Sequence, residues 1–225
     1  RFSFAETHCV RFSFAETHCV RFQTGILYHV MLILLPANVY GFIHPKENTM
    51  SKAHLEMLLD SARRPQERLL RVMDGLSIDQ LNALPEAHIA PTIKSIGWLV
   101  WHTAREQDLQ IADLAGTQAL WVRDGWNQRF AFDLPDDTAD WKHTPEEAAK
   151  VMIRDAALLQ DYLAASTQAV IDYLQQLPPN DLDEVIDHHW NPPVTRAVRL
   201  VSIIDDAAMH SGQAVYVRRL LGMAD

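Results

Sequence analysis

Residues 203–213 read Ile203-Ile204-Asp205-Asp206-Ala207-Ala208-Met209-His210-Ser211-Gly212-Gln213. Apolar residues recur here at helical spacing, and the pattern extends from about Thr195, behind Pro192-Pro193, to Leu221 ahead of Gly222. Asp206 and His210 are four apart and therefore share one helical face, with Cβ atoms about 5–6 Å apart. Ile203, Ala207, Ala214, Val217 and Leu221 lie around them on that face. The stripe is expected to be buried. A carboxylate inside it is costly unless something compensates its charge, and a divalent cation does so.

A second helix, about Thr92 to Leu114, starts behind Pro91 and ends at Gly116. Leu99, His102 and Leu109 share a face, and His102 interrupts the apolar run Trp98, Leu99, Val100, Trp101. If both stripes face the core, His102 comes close to Asp206 and His210. Two imidazoles and a carboxylate with a vacant position make a familiar catalytic zinc set. Iron and nickel suit the same donors. The plainer alternatives stand beside this: an i,i+4 Asp–His pair is usually a surface contact, and a lone buried histidine is usually a hydrogen-bonded core residue.

Two further helices complete the pattern. The first runs from about Lys52 to Asp74, with Leu55, Leu58, Leu59, Ala62, Leu69, Leu70 and Met73 on one side and a kink or restart expected at Pro65. A short helical turn follows from Ser77 to Leu84. The third long helix is expected over about Thr144–Leu177, opened by the capping box of Thr144 and Glu147 with Pro145 at the first position. Residues 115–143 form a long crossover carrying Trp121, Trp126, Phe130, Phe132 and Trp141. A connection of that length is functional or ordered by its own aromatics. The sum predicts an all-α four-helix bundle with a long crossover between helices two and three, which need not be neighbours.

Weaker candidates surround the triad. Arg105, one turn beyond His102, is the candidate catalytic cation: it either orients a substrate anion or pairs with Asp206 or Glu106. Trp126 and Trp190 are candidate cofactor-pocket walls, with ordinary packing as the alternative for the crossover aromatics. At most one of His188 and His189 points toward the site, because neighbours on extended chain face opposite ways. His54, His88 and His143 have no constellation around them.

Bulk properties narrow the function classes. The chain has 225 residues, 48% of them hydrophobic, which suits one core. A net charge of −9 argues against nucleic acid and against an anionic membrane surface. Cys9 and Cys19 are the only cysteines, so no thiol of the body can act as nucleophile or ligand. Any sulfur chemistry comes from a substrate.

The first fifty residues differ from the rest. Residues 1–10, RFSFAETHCV, recur unchanged at 11–20, and an apolar run follows from Ile26 to Ile43. Met50 then opens the charged, amphipathic body. The reading is that Met50 is the true start and that 1–49 is upstream sequence translated by mistake. The rival is a hydrophobic leader or membrane anchor. The body, 50–225, is expected to be one cytoplasmic domain with net charge −10.

The stretch from Ser95 through His102 to Arg105 resembles the second helix of DinB-like proteins. Asp205-Asp206, His210-Ser211-Gly212-Gln213-Ala214 and Tyr216-Val217-Arg218 resemble their last helix. Trp121-Val122-Arg123-Asp124-Gly125-Trp126 and Trp190-Asn191-Pro192-Pro193-Val194-Thr195 resemble the actinobacterial branch described as DUF664 or mycothiol-transferase-like. The resemblance covers about 51–222. It implies a four-helix bundle holding a divalent metal, zinc first, with nickel or iron as alternatives, on His102, Asp206 and His210. Asp206 departs from the commoner three-histidine pattern. The resemblance also implies a transferase using mycothiol or a similar thiol as cosubstrate on a small electrophile. A metal-dependent hydrolase and a non-catalytic metal-binding stress-response bundle are the alternatives. Homodimers are common among such bundles, though no sequence feature here requires one.

Overall fold

The computed structural model describes residues 52–85, 90 and 92–223. The expectations for 1–49, for Met50 as the start and for His88 lie outside these residues. Among them, helices dominate: α1 Lys52–Met73, α2 Ile78–Asn82, α3 Ile96–Ala115, α4 Leu120–Arg123, α5 Trp126–Phe130, α6 Pro145–Ala148, α7 Ala156–Gln176 and α8 Arg196–Leu220. A two-stranded antiparallel ribbon, β1 Val185–Asp187 with β2 Val194–Thr195, precedes α8. No described helix is long and apolar enough to cross a membrane.

The four long helices form a bundle in which α3 packs on α7 and α8, and α1 packs on the same two. Helices α1 and α3 therefore sit across one diagonal, α7 and α8 across the other. The crossover joins neighbours, α3 and α7, although the sequence left that open.

Helix α3 is buried on nearly all sides, from Ile96 through Arg105 without a break. Such a helix must be covered all round. The bundle covers one flank, and the crossover, with α4 packed on α3, covers another. Trp121, Trp126 and Phe130 are buried there against Tyr162 of α7. Asp108 fastens the start of the crossover. Its carboxylate accepts from the backbone N–H of Leu120 at 2.7 Å and of Trp121 at 2.8 Å, and from the Tyr162 hydroxyl at 3.0 Å. It thus caps α4 from another helix, since Ala119 offers no side-chain cap. Burial pushes the Asp108 carboxyl up, against these three donors and Arg105.

Three expectations need correction. Helix α1 does not restart at Pro65: the proline is buried inside a continuous helix. Packing of its ring into the bundle offsets the lost backbone bond. Leu70, expected on the inner side, is exposed, while Val72 is buried. The third long helix is split. The capping box of Thr144 and Glu147 forms, but α6 ends after one turn, and α7 begins afresh behind Asp155, which accepts from Ala157 and Leu158 N–H. Between them Asn82 clamps the Ile153 backbone, donating to its carbonyl and accepting from its N–H, both at 2.8 Å. Val151 and Ile153 are buried by that clamp. Gly97 makes room for it, because a Cβ there would lie 2.6 Å from Ile153 Cγ1.

Candidate metal centre

Helices α3 and α8 pack together, and their inward faces place His102 against His210. Ile203, Ala207, Ala214 and Val217 are buried around the α8 pair as expected. The ring planes of His102 and His210 are perpendicular, and their Nε2 atoms lie 3.1 Å apart. Asp206 Oδ1 is 3.3 Å from His210 Nε2. All three donor atoms fall within 4.8 Å of one another. Donors on one cation with bonds of about 2.1 Å sit about 3.4 Å apart at a tetrahedral centre, so the spacings suit a shared ion. His102 is buried, whereas the side chains of His210 and Asp206 keep 13% and 28% exposure. The centre is therefore open on its α8 side, and Asp206 is less buried than its stripe suggests.

The outer nitrogens decide what the inner ones can do. His102 Nδ1 lies 2.8 Å from Asp140 Oδ2, and His210 Nδ1 lies 2.8 Å from Gln213 Oε1. Both acceptors call for an N–H at Nδ1, which leaves a lone pair at each Nε2. Two lone pairs 3.1 Å apart need a cation or a proton between them. Burial opposes a proton on His210, but the hydrogen bond and charge of Asp206, with Gln213 and Glu106, outweigh it and raise its pKa, so a proton is one occupant of that gap. The spacing and chemistry of the three donors fit a divalent cation as the other.

Further groups surround the centre. Trp98 stacks on His102, with centroids 4.5 Å apart and planes at 15°. Burial raises the Glu106 carboxyl to about 7, helped by the charges of Asp140 and Asp206. Glu106 also groups with His102 and Asp140 inside 4.8 Å. A second cation there competes with Arg105, whose Nε lies 3.7 Å from Asp140 Oδ1.

Arg105 is almost fully buried and pairs with Asp140, not with Asp206 or Glu106 as expected. Its Nη2 donates to the carbonyls of Asp136 and Thr138, and its plane lies near the rings of Trp101 and Trp121. Trp126 sits in the core against Tyr162, with Arg129 over its ring. Trp190 is 61% exposed beyond β1. No described ring contact or hydrogen bond brings either tryptophan to the histidines. His188 and His189 are both exposed, and His189 pairs with Asp187. His143, read as isolated, is buried: its Nδ1 accepts from Trp98 Nε1 at 3.2 Å and its Nε2 meets Thr138 Oγ1 at 2.8 Å. Burial lowers its pKa, so it stays neutral and ties the crossover to α3.

Sequence reasoning missed Asp140 and Gln213. Gln213 stands three residues after His210, a spacing that offers a hydrogen-bonding neighbour. Asp140 lies 38 residues from its partner, with no local signal.

With this geometry in place, a family model for the DinB superfamily matches residues 61–214, which include all three donors. The chain belongs to the DinB superfamily. Metal binding is a property of that superfamily, and His102, Asp206 and His210 are the candidate ligands in this member. This DinB-superfamily chain is similar to a conserved protein of known crystal structure from Enterococcus faecalis. The two are 52% identical, with 73% of this chain and 95% of that one covered and a TM-score of 0.70. No curated protein matches.

Proposed function

We propose that this chain is a metal-dependent transferase that joins a low-molecular-weight thiol, mycothiol or a similar one, to a small electrophile. The observation that carries the reading is the pair of facing Nε2 atoms with Asp206 beside them, open on one side. A divalent cation held there, zinc first, with nickel or iron as alternatives, supplies Lewis acidity that brings a thiol's pKa toward neutrality. His102, Asp206 and His210 hold the ion. Glu106, one turn from His102 and grouped with it and Asp140, is the carboxylate placed to take the thiol proton. The S–C bond then forms as the electrophile's leaving group departs with its electron pair. The thiol comes from outside, because the chain has no cysteine beyond Cys19. The choice of a mycothiol-like thiol rests on the resemblance of the Trp121–Trp126 and Trp190–Thr195 motifs.

A second reading, a metal-dependent hydrolase, draws on the same Glu106, which serves equally as the base for water. Zinc-loaded protein incubated with mycothiol and an alkyl halide separates the two. Thiol alkylation faster than with metal-stripped protein is the expected result, and equal rates overturn the reading. Ester turnover without thiol moves the assignment to the hydrolase.

A further inference from the structure

We infer that Asp140 is the positioning residue of the metal centre, fixing the His102 imidazole so that its Nε2 faces the ion. The inference rests on the metal reading of His102, Asp206 and His210. Asp140 is 1% exposed and belongs to none of the four long helices; it opens a 3-10 turn, Asp140–Lys142, at the end of the crossover. A buried carboxylate is retained only where its charge is matched. One oxygen takes the His102 Nδ1 hydrogen at 2.8 Å. The other faces Arg105 Nε at 3.7 Å, and Glu106 stands beside the same carboxylate.

Arg105 acts at one further remove. By donating to the carbonyls of Asp136 and Thr138 it holds the chain that delivers Asp140, and it supplies the compensating positive charge. Trp98 stacked on His102 restrains the ring's tilt but spends its own N–H on His143 and leaves the imidazole nitrogens alone. The acceptor at Nδ1 selects the tautomer, which leaves the Nε2 lone pair facing His210. A carboxylate behind a metal-bound histidine fixes tautomer and orientation, and its loss typically costs about 10–100-fold in metal affinity. A merely structural ion pair between Asp140 and Arg105 changes stability and leaves affinity and tautomer alone.

The test uses the full chain with Asp140→Ala and Asp140→Asn. Zinc affinity is measured by competition with a chromophoric chelator, stoichiometry by elemental analysis, and the His102 tautomer by nitrogen-15 NMR of metal-free protein at alkaline pH. Wild type is expected to bind one zinc and to show Nδ1–H at His102. Asp140→Ala raises the Kd about 10–100-fold and moves the proton to Nε2. Asp140→Asn loses about tenfold with the tautomer kept, because its amide oxygen still accepts from Nδ1 but lacks the charge that raises the ligand's basicity; its affinity decides the matter if the alanine variant fails to fold. A Kd within twofold of wild type in either variant, or an unchanged tautomer in Asp140→Ala, overturns the inference. So does a fall from two zinc ions to one, which makes Asp140 a ligand. Wild type that binds no zinc overturns the metal reading instead, while the tautomer still decides the role of Asp140.

Discussion

Helices α3 and α8 present His102, Asp206 and His210 from hydrogen-bonded backbone, at positions that helical periodicity fixes. The crossover, 116–143, presents Asp140 from a 3-10 turn that side chains from elsewhere hold in place. Asp108 caps its first short helix, Arg105 grips its carbonyls near Asp136 and Thr138, and the Trp98–His143–Thr138 chain ties down its end. The helices therefore present the candidate donors, with Gln213 of α8 orienting His210, and the crossover orients His102. Damage to the first should abolish the centre, and damage to the second should loosen it.

The largest expected effect comes from the helices. His210→Ala should abolish stoichiometric metal binding while the far-UV circular dichroism stays close to wild type. Unchanged metal content, by mass spectrometry, removes α8 from the centre. A smaller effect is expected from the crossover's anchor. Asp108→Ala leaves three donors unsatisfied, two backbone N–H groups and the Tyr162 hydroxyl. Stability should fall by about 3 kcal/mol in urea titration. Metal binding should weaken without disappearing. A loss under about 1 kcal/mol shows that the packed indoles order the crossover without this cap. The smallest effect belongs to Trp190, exposed and away from both regions. Trp190→Ala should shift stability by no more than about 0.5 kcal/mol and leave metal content unchanged. A clear loss of thiol-dependent rate at unchanged stability places Trp190 in the cosubstrate site.

The two regions also differ in how far they could be read in advance. The apolar spacing around Asp206 and His210 gave their shared face, and the run around His102 gave its burial. The start of α8 at Thr195 and the Thr144–Glu147 box fall where the sequence places them. The long third helix failed as a reading because no local signal reveals that Asn82, 71 residues away, clamps Ile153 and interrupts it. At Pro65 the restart did not occur, since a local rule for ending helices yielded to the packing of α1 in the bundle. His143 looked isolated because Trp98 and Lys94 lie on the far side of the crossover, and only its partner Thr138 is near it in sequence.

By itself the sequence determined that the chain is helical, which faces of two helices are apolar, and that each carries a metal-capable side chain inside that face. These follow from a period of 3.6 residues, which acts within a few turns. Only the tertiary structure decided that the two histidine nitrogens meet head on, that Asp140 stands behind one and Gln213 behind the other, and that Arg105 serves the crossover. Those outcomes depend on how helices pack and where a long connection returns, and burial of charge at a distance leaves no periodic trace along the chain.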